Sequence, residues 1–432
     1  MRLEQATFRV KDIVFSNTTR FSGGVLYVSK EELRGKVLQD SHFIDVEVNV
    51  ARPGDNTRII NILDAVEPRH KVSGPGTVFP AVIGPTVTVG QGRNHRLEGM
   101  ALITTGVPSP GEGVYWRDGI IDMWGAGARY TPFSSTINLV LQLKGRVDFS
   151  PEEQADLETV DLIGGSKYSQ EYNLAARAAG FRVADYLASA TTGQEPEEVE
   201  VFELAKVDPS LPRVAYACQV HVNRWVYGEK IGWQPVLLHP NEMMDGAMYS
   251  SFMGPANSRD SSYIYQNHAI VREMYRRHGV DLNFLGLVLW FYGRTAVWEK
   301  ERTLDSGVKL LKMLSADGVV VTWIGDGHSG VDIMMLCQKC ENAGIMTTLL
   351  SPEMALTPDD PGFVHFVPEA DAIVSTGNYE MKINLPPAGE VLGGATLSVP
   401  ELDAAGSLPL SLRYIYASTS PLGFGKLTGV QY

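Results

Sequence analysis

Apolar and polar residues alternate with period two through Ile44-Asp45-Val46-Glu47-Val48-Asn49-Val50, which predicts a strand with one buried face. Glycines and prolines at Gly74-Pro75-Gly76, Gly90-Gln91-Gly92 and Gly125-Ala126-Gly127 punctuate residues 1–150 as turns between further strands. Past the acidic stretch Pro151-Glu152-Glu153, Leu174, Ala178, Phe181 and Tyr186 recur roughly at helical spacing and predict one long helix over 169–189. Charge combined with proline in Gln194-Glu195-Pro196-Glu197-Glu198, and again in Pro209-Ser210-Leu211-Pro212, marks the expected boundary between two domains.

From Arg213 onward the rhythm changes to short apolar runs alternating with helical patterns. Strands are expected over 214–220, 235–238, 284–290, 319–324, 345–350 and 372–375, and helices near 262–278, 301–315 and 331–343. Such βαβ units place helices on the faces of a mostly parallel sheet, with ligands at the carboxyl ends of its strands. The fold class is therefore α/β: a β-rich N-terminal domain, 1–205, followed by a doubly wound, mostly parallel, Rossmann-like C-terminal domain, 206–432, carrying the presumed active-site loop. No internal repeat is visible.

Composition narrows the function classes. Hydrophobic residues at 44% and charged residues at 20% are ordinary for globular chains, and 432 residues exceed one ordinary core. A net charge of −13 argues against nucleic-acid or anionic-membrane partners, which need clustered Lys and Arg. The start, Met1-Arg2-Leu3-Glu4, lacks the apolar core of a signal peptide and no apolar run approaches bilayer length, so a cytoplasmic protein is expected. Three cysteines are too few for a disulfide framework and suit a reducing compartment.

Several strings carry a resemblance to a known family: Gly24-Val25-Leu26-Tyr27-Val28, Ala51-Arg52-Pro53-Gly54, Asp64-Ala65-Val66-Glu67-Pro68-Arg69 and Gly119-Ile120-Ile121-Asp122-Met123. Others are Met244-Asp245-Gly246-Ala247, Arg277-His278-Gly279-Val280-Asp281-Leu282-Asn283-Phe284 and Asp332-Ile333-Met334-Met335. In their order and spacing the chain resembles, from end to end, the proprotein subunit of component B of the glycine/sarcosine/betaine reductases. The resemblance implies a hetero-oligomeric, selenoprotein-linked enzyme that reductively cleaves the C–N bond of a small amine, with this subunit holding the amine. It also implies that the proprotein cuts itself at an internal cysteine, leaving a pyruvoyl carbonyl for a Schiff base. A partner subunit's selenocysteine or cysteine then attacks the activated α-carbon, and a selenoether passes to a small carrier protein. The chemistry is coherent, because an amine leaves only when its electron pair is withdrawn, and an iminium does that. Self-cleavage by acyl shift needs Ser, Thr or Cys.

The chain departs from the family where it matters. Aligned on Met244-Asp245-Gly246-Ala247 and Ser262-Tyr263, the processing cysteine falls at or near Phe252-Met253, and the three cysteines stand elsewhere, at Cys218, Cys337 and Cys340. A cysteine-derived pyruvoyl group is thereby excluded. A serine-derived one from Ser250 or Ser251 is one reading; a turn with capping serines before a helix is the other. The chain then reads as an unprocessed member that uses another electrophile or positions substrate for its partner, or as a non-catalytic scaffold that kept the fold.

Other residues carry candidate chemistry. Glu242, Asp245 and His268, with His239 and Ser251, surround the region where the family does its chemistry and offer a general acid/base pair or a metal site; helix capping in His239-Pro240-Asn241-Glu242 is the plain alternative. Gly325, Gly327 and Gly330 in Gly325-Asp326-Gly327-His328-Ser329-Gly330 fit the G-x-G-x-x-G pattern between strand and helix, although the acidic residue expected about 20 positions later is not clearly placed. That turn would bind a nucleotide, receive a substrate carboxylate on its N–H groups, or serve structure alone. Cys337-Gln338-Lys339-Cys340 lacks the second ligand pair a zinc site needs and lies inside a predicted helix. Arg52, Arg69 and Arg93 are candidate carboxylate binders.

Overall fold

The computed structural model describes residues 1–106, 119–158, 166–220, 225–230, 234–250, 260–291, 296–323, 327–357, 363–398 and 401–420. It is a mixed α/β structure. The alternating segment forms the strand Phe43–Ala51, with Val46, Val48 and Ala51 buried. It pairs antiparallel with Ile137–Gly145, which continues through Met100–Gly106 to Ile62–Val66 in a four-stranded sheet.

The helix Lys167–Ser189 starts where Ser166 accepts the Ser169 N–H at 3.1 Å. Its buried face is rich in Ala175, Ala176, Ala179 and Ala184, small enough to let the backbone approach the strands Ile62–Val66 and Arg69–Ser73. Gly180 marks the closest approach: a Cβ there would lie 2.6 Å from Thr104 Oγ1.

In the second half a six-stranded sheet has the order Val236–Leu238, Asn283–Phe291, Arg213–Val220, Gly318–Thr322, Met346–Glu353, Ile373–Asn378. All neighbours are parallel except the Val236–Leu238 edge. Ala215 and Ala217 point to the layer of Val297–Met313 and His328–Glu341, while Tyr216, Cys218 and Val220 point to the layer of Ser262–Gln266 and Ala269–Arg277. Successive strands are added on both sides of Arg213–Val220. The order thus reverses there, and in open α/β sheets a crevice forms at the carboxyl end of such a strand.

Three features differ from expectation. The predicted helix over 262–278 is two helices, Ser262–Gln266 and Ala269–Arg277, broken where Arg69 binds the Gln266 carbonyl at 3.0 Å and Asn267 Oδ1 at 2.9 Å. A strand that was not expected, Glu198–Glu203, lies between the two segments marked as the boundary and pairs antiparallel with Arg2–Arg9. The chain's last third returns to its first: Glu390–Leu392 pairs parallel with Thr57–Ile59. Buried Arg58 anchors this return, forked onto Asp122 at 2.6 and 3.0 Å and donating to the carbonyls of Pro386, Ala404 and Gly406 at 2.8, 2.6 and 3.0 Å. No described helix is long and apolar enough to cross a membrane.

Candidate functional site

From the middle of the reversal strand, the Tyr216 hydroxyl reaches to 2.7 Å from Oγ1 of Thr322, the last residue of the neighbouring strand, and 3.1 Å from Nε2 of His268. His268 occupies the N-cap of Ala269–Arg277 and is fully buried, with no hydrogen-bond partner for Nδ1 among the described residues. Burial of the ring lowers its pKa from 6.5 to about 3. At neutral pH this imidazole is an uncharged hydrogen-bonding group, not a proton acceptor.

That shift has a measurable sign. Between pH 6.5 and pH 4 the unfolded chain protonates position 268 and the folded chain does not, so the fold loses up to about 1.4 kcal/mol per pH unit as pH falls. Buried Asp64, Asp122, Asp245 and Asp332, raised chiefly by desolvation, act in the opposite sense. The check is therefore comparative. On going from about pH 6.5 to about pH 4.5, denaturant unfolding should show wild type losing about 2 kcal/mol more than His268→Gln. Equal losses would mean that the ring titrates normally in the fold.

The nine residues 251–259, including Ser251 and the Phe252-Met253 position, lie outside the described residues; Ser250 and Asp260 flank them. The Ser250 N–H donates to Ser262 Oγ at 3.1 Å, and Arg177 Nε donates to the Ser250 carbonyl at 2.9 Å. Ser262 in turn donates both its hydroxyl, at 2.5 Å, and its N–H, at 3.0 Å, to fully buried Asp64. Ser250 is thus a buried residue after a strand. The cap of the following helix is Ser261, which accepts the Ile264 N–H at 3.2 Å. Asp260 is held by Tyr265 and Ser420 at 3.3 and 3.2 Å.

His239, Glu242, Asp245 and His268 do not form one site. His239 and Glu242 make a reciprocal cap: His239 Nδ1 accepts the Asn241 N–H at 3.2 Å, and Glu242 Oε2 accepts the His239 N–H at 2.8 Å. Burial lowers the His239 pKa to about 4, and Glu242 also accepts the Tyr227 hydroxyl at 2.6 Å. Asp245 is fully buried in a π turn over Met243–Ala247, ion-paired with Lys71 and accepting from Gly90 N at 2.6 Å and Asn94 Nδ2 at 2.7 Å. Burial pushes its carboxyl up while Lys71, Asn94 and Gly90 pull it back. Among the described residues no three His, Cys, Asp or Glu side chains converge as a metal site.

Gly325 lies outside the described residues. Gly327, at φ 61°, begins the helix His328–Glu341, and Gly330 packs on the Trp323 ring, where a Cβ would come within 3.3 Å. Cys337 and Cys340 are buried on this helix, Cys337 Sγ 3.2 Å from Thr347 Oγ1, and burial pushes the Cys340 thiol up to about 12. Arg52 is bound to Asp12, Arg69 to Glu67 and Arg93 to Glu4, so all three arginines are engaged by the protein's own carboxylates.

A cleft of about 740 Å³ opens at the start of the helix Ala269–Arg277, with none of Tyr216, Thr322 and His268 in its described lining. Its wall includes Tyr263 and Ala269, the chain neighbours of Ser262 and His268, and Thr419, the neighbour of Ser420. Thr376 and Asn378, at the carboxyl end of the last parallel strand, line it too. Sequence reasoning missed Tyr216, Thr322, Asp64, Ser262 and Arg177. A signal existed for Asp64: a lone carboxylate inside the apolar run Ile62-Leu63-Asp64-Ala65-Val66 has to find buried partners.

Comparison with known proteins adds to this geometry. A family model described as glycine/sarcosine/betaine reductase component B subunits matches residues 1–429. The chain is 35% identical over 457 residues to the glycine reductase complex component B subunits alpha and beta of Peptoclostridium acidaminophilum, covering 100% of each chain. Against that organism's sarcosine reductase complex component B subunit alpha the identity is 34% over 457 residues, again with 100% of each covered. Against its betaine reductase complex component B subunit alpha it is 34% over 412 residues, 91% of this chain and 88% of the relative. No solved structure matches.

Proposed function

Because the chain belongs to the family of glycine/sarcosine/betaine reductase component B subunits, we propose that it is the amine-holding subunit of a cytoplasmic, hetero-oligomeric reductase. It binds a small amine whose C–N bond is cleaved reductively by a partner subunit bearing selenocysteine or cysteine. The observation that carries the reading is the cleft lined by Tyr130 and Tyr263 and, from the carboxyl end of the last parallel strand, by Thr376 and Asn378, with the buried, uncharged Tyr216, His268 and Thr322 chain joined to its wall through Ala269, the neighbour of His268. Tyrosine faces attract quaternary and protonated amines. We take the parallel sheet below as a doubly wound, Rossmann-like support that presents the cleft at the carboxyl end of its last strand, the side of an open α/β sheet on which ligands sit.

The pyruvoyl group implied by the family does not fit the described residues. Cys218 sits in a strand paired on both sides, and Cys337 and Cys340 sit within a helix, so none offers an exposed peptide for an acyl shift. The Ser250 N–H and carbonyl are both hydrogen-bonded inside the protein. This subunit's own residues bind and orient the amine and shield it from water, and the partner supplies the nucleophile.

Mass spectrometry of the purified full chain tests both parts. Under denaturing conditions we expect one species at 47.3 kDa. Native spray should add the mass of glycine, sarcosine or betaine. Two fragments meeting near residue 250 would overturn the unprocessed reading, and failure of all three amines to bind would overturn the amine reading.

A further inference from the structure

We propose that Arg129 and Thr131 form the carboxylate-binding end of the 740 Å³ cleft, the two side chains that hold the acid group of its ligand. The inference rests on the reading of the cleft as the amine site and assigns the residues that select the acid. Arg129 closes the single turn Gly127–Arg129 and is exposed. Among the described residues it has neither an ion pair nor a hydrogen bond, in contrast to Arg52, Arg69 and Arg93.

It is also the one charged side chain among the described residues that line the cleft. In a chain with 50 acidic and 37 basic residues, a cleft without a carboxylate in its described lining is a selective place to put an arginine. No neighbouring acid competes for it, and its planar fork matches a carboxylate held by two hydrogen bonds.

Thr131 is the second, independent sign. It stands at the N-cap of Pro132–Ser135, where a threonine hydroxyl ordinarily accepts a backbone N–H, but it makes no such bond. Its side chain is 5% exposed, and Oγ1 has no hydrogen-bond partner among the described residues. A buried hydroxyl left without a partner is costly unless something else completes it. A ligand oxygen arriving between this hydroxyl and Arg129 would do so. With the acid fixed there, the amine end of a small ligand is left toward Tyr130 and Tyr263.

Isothermal titration of the full chain separates the outcomes, using betaine, tetramethylammonium and acetate as probes. Arg129→Ala should raise the Kd for betaine roughly 10- to 100-fold, leave tetramethylammonium unchanged, and keep the wild-type melting temperature, since the side chain is exposed. Thr131→Val should weaken betaine to a smaller extent. Equal betaine affinity in Arg129→Ala and wild type would overturn the assignment while leaving the amine reading intact. Acetate binding as tight as betaine and lost in Arg129→Ala would support the assignment and overturn the amine reading. If wild type binds none of the three, the assignment falls, and the amine reading falls with it when glycine and sarcosine also fail to bind.

Discussion

Replacing Lys71 by methionine is expected to cost about 3–5 kcal/mol of folding stability, the usual penalty for stripping a buried charge of its partner. The Lys71 and Asp245 side chains are 3% and 0% exposed, and no solvent would replace the ammonium. The Asn94 and Gly90 donors would remain, too few for a full carboxylate charge. Burial already pushes the Asp245 carboxyl up, and losing Lys71 pushes it further. A carboxyl whose folded pKa is raised loses its stabilising contribution as pH rises, so the deficit of Lys71→Met should be larger at about pH 8 than at about pH 5. Adding Asp245→Asn should restore most of the loss, because the neutral amide no longer needs a counter-charge. Urea unfolding of the three proteins decides the matter. A loss below about 1 kcal/mol would mean that Asp245 is not held as a buried ion.

Gly246→Ala is the second large expected effect, at roughly 3 kcal/mol when backbone strain and overpacking combine. Gly246 has φ 86°, and a Cβ would lie 2.5 Å from the Phe79 backbone nitrogen and 3.2 Å from its Cα. Neither atom can swing away. Phe79 is itself held by stacking on Phe181, with ring centroids 3.7 Å apart. Gly23→Ala is the control, since Gly23 shares a positive φ of 59° but has nothing within 4 Å of the added methyl. It should cost only the backbone part, about 1 kcal/mol. If the two variants melt together, the close approach of Gly246 to Phe79 is not a constraint on the fold.

Elements set by local periodicity were legible in the sequence. The predicted strand over 44–50 is Phe43–Ala51, the predicted helix over 169–189 is Lys167–Ser189, and the alternating runs after Arg213 form the parallel sheet. Elements set by distant partners were not. Nothing near Asn267 and His268 announces a helix break, because the break is made by Arg69, nearly two hundred residues earlier. The strand Glu390–Leu392 owes its existence to Thr57–Ile59. The strand Glu198–Glu203 gave no clear signal: Val199 and Val201 are exposed and only Phe202, on the opposite face, is buried, so its charge and its broken alternation both hid it.

The candidate site divides the same way. His239 and Glu242 could be read as capping groups from their spacing and proved to be so. That His268 joins Tyr216 and Thr322, while Asp245 joins Lys71, depends on which layers meet, and neither pair has a local sequence signature. Arg129 was invisible for another reason. What distinguishes it is the lack of partners in its surroundings, and that is a property of the assembled surface rather than of the residues beside it.

The return of the last third of the chain to the first bears on how a broken backbone would behave. The residues flanking 251–259 are tied to each other through Ser250 and Ser262, and the chain after residue 259 carries the strand and the carbonyls that clasp Arg58 in the chain before residue 251. One apolar core holds Ile59, Ala101 and Phe133 together with Leu287, Leu289 and Leu392. A single backbone break anywhere within residues 251–259 would therefore leave two polypeptides that elute as one particle on gel filtration and separate only in denaturant.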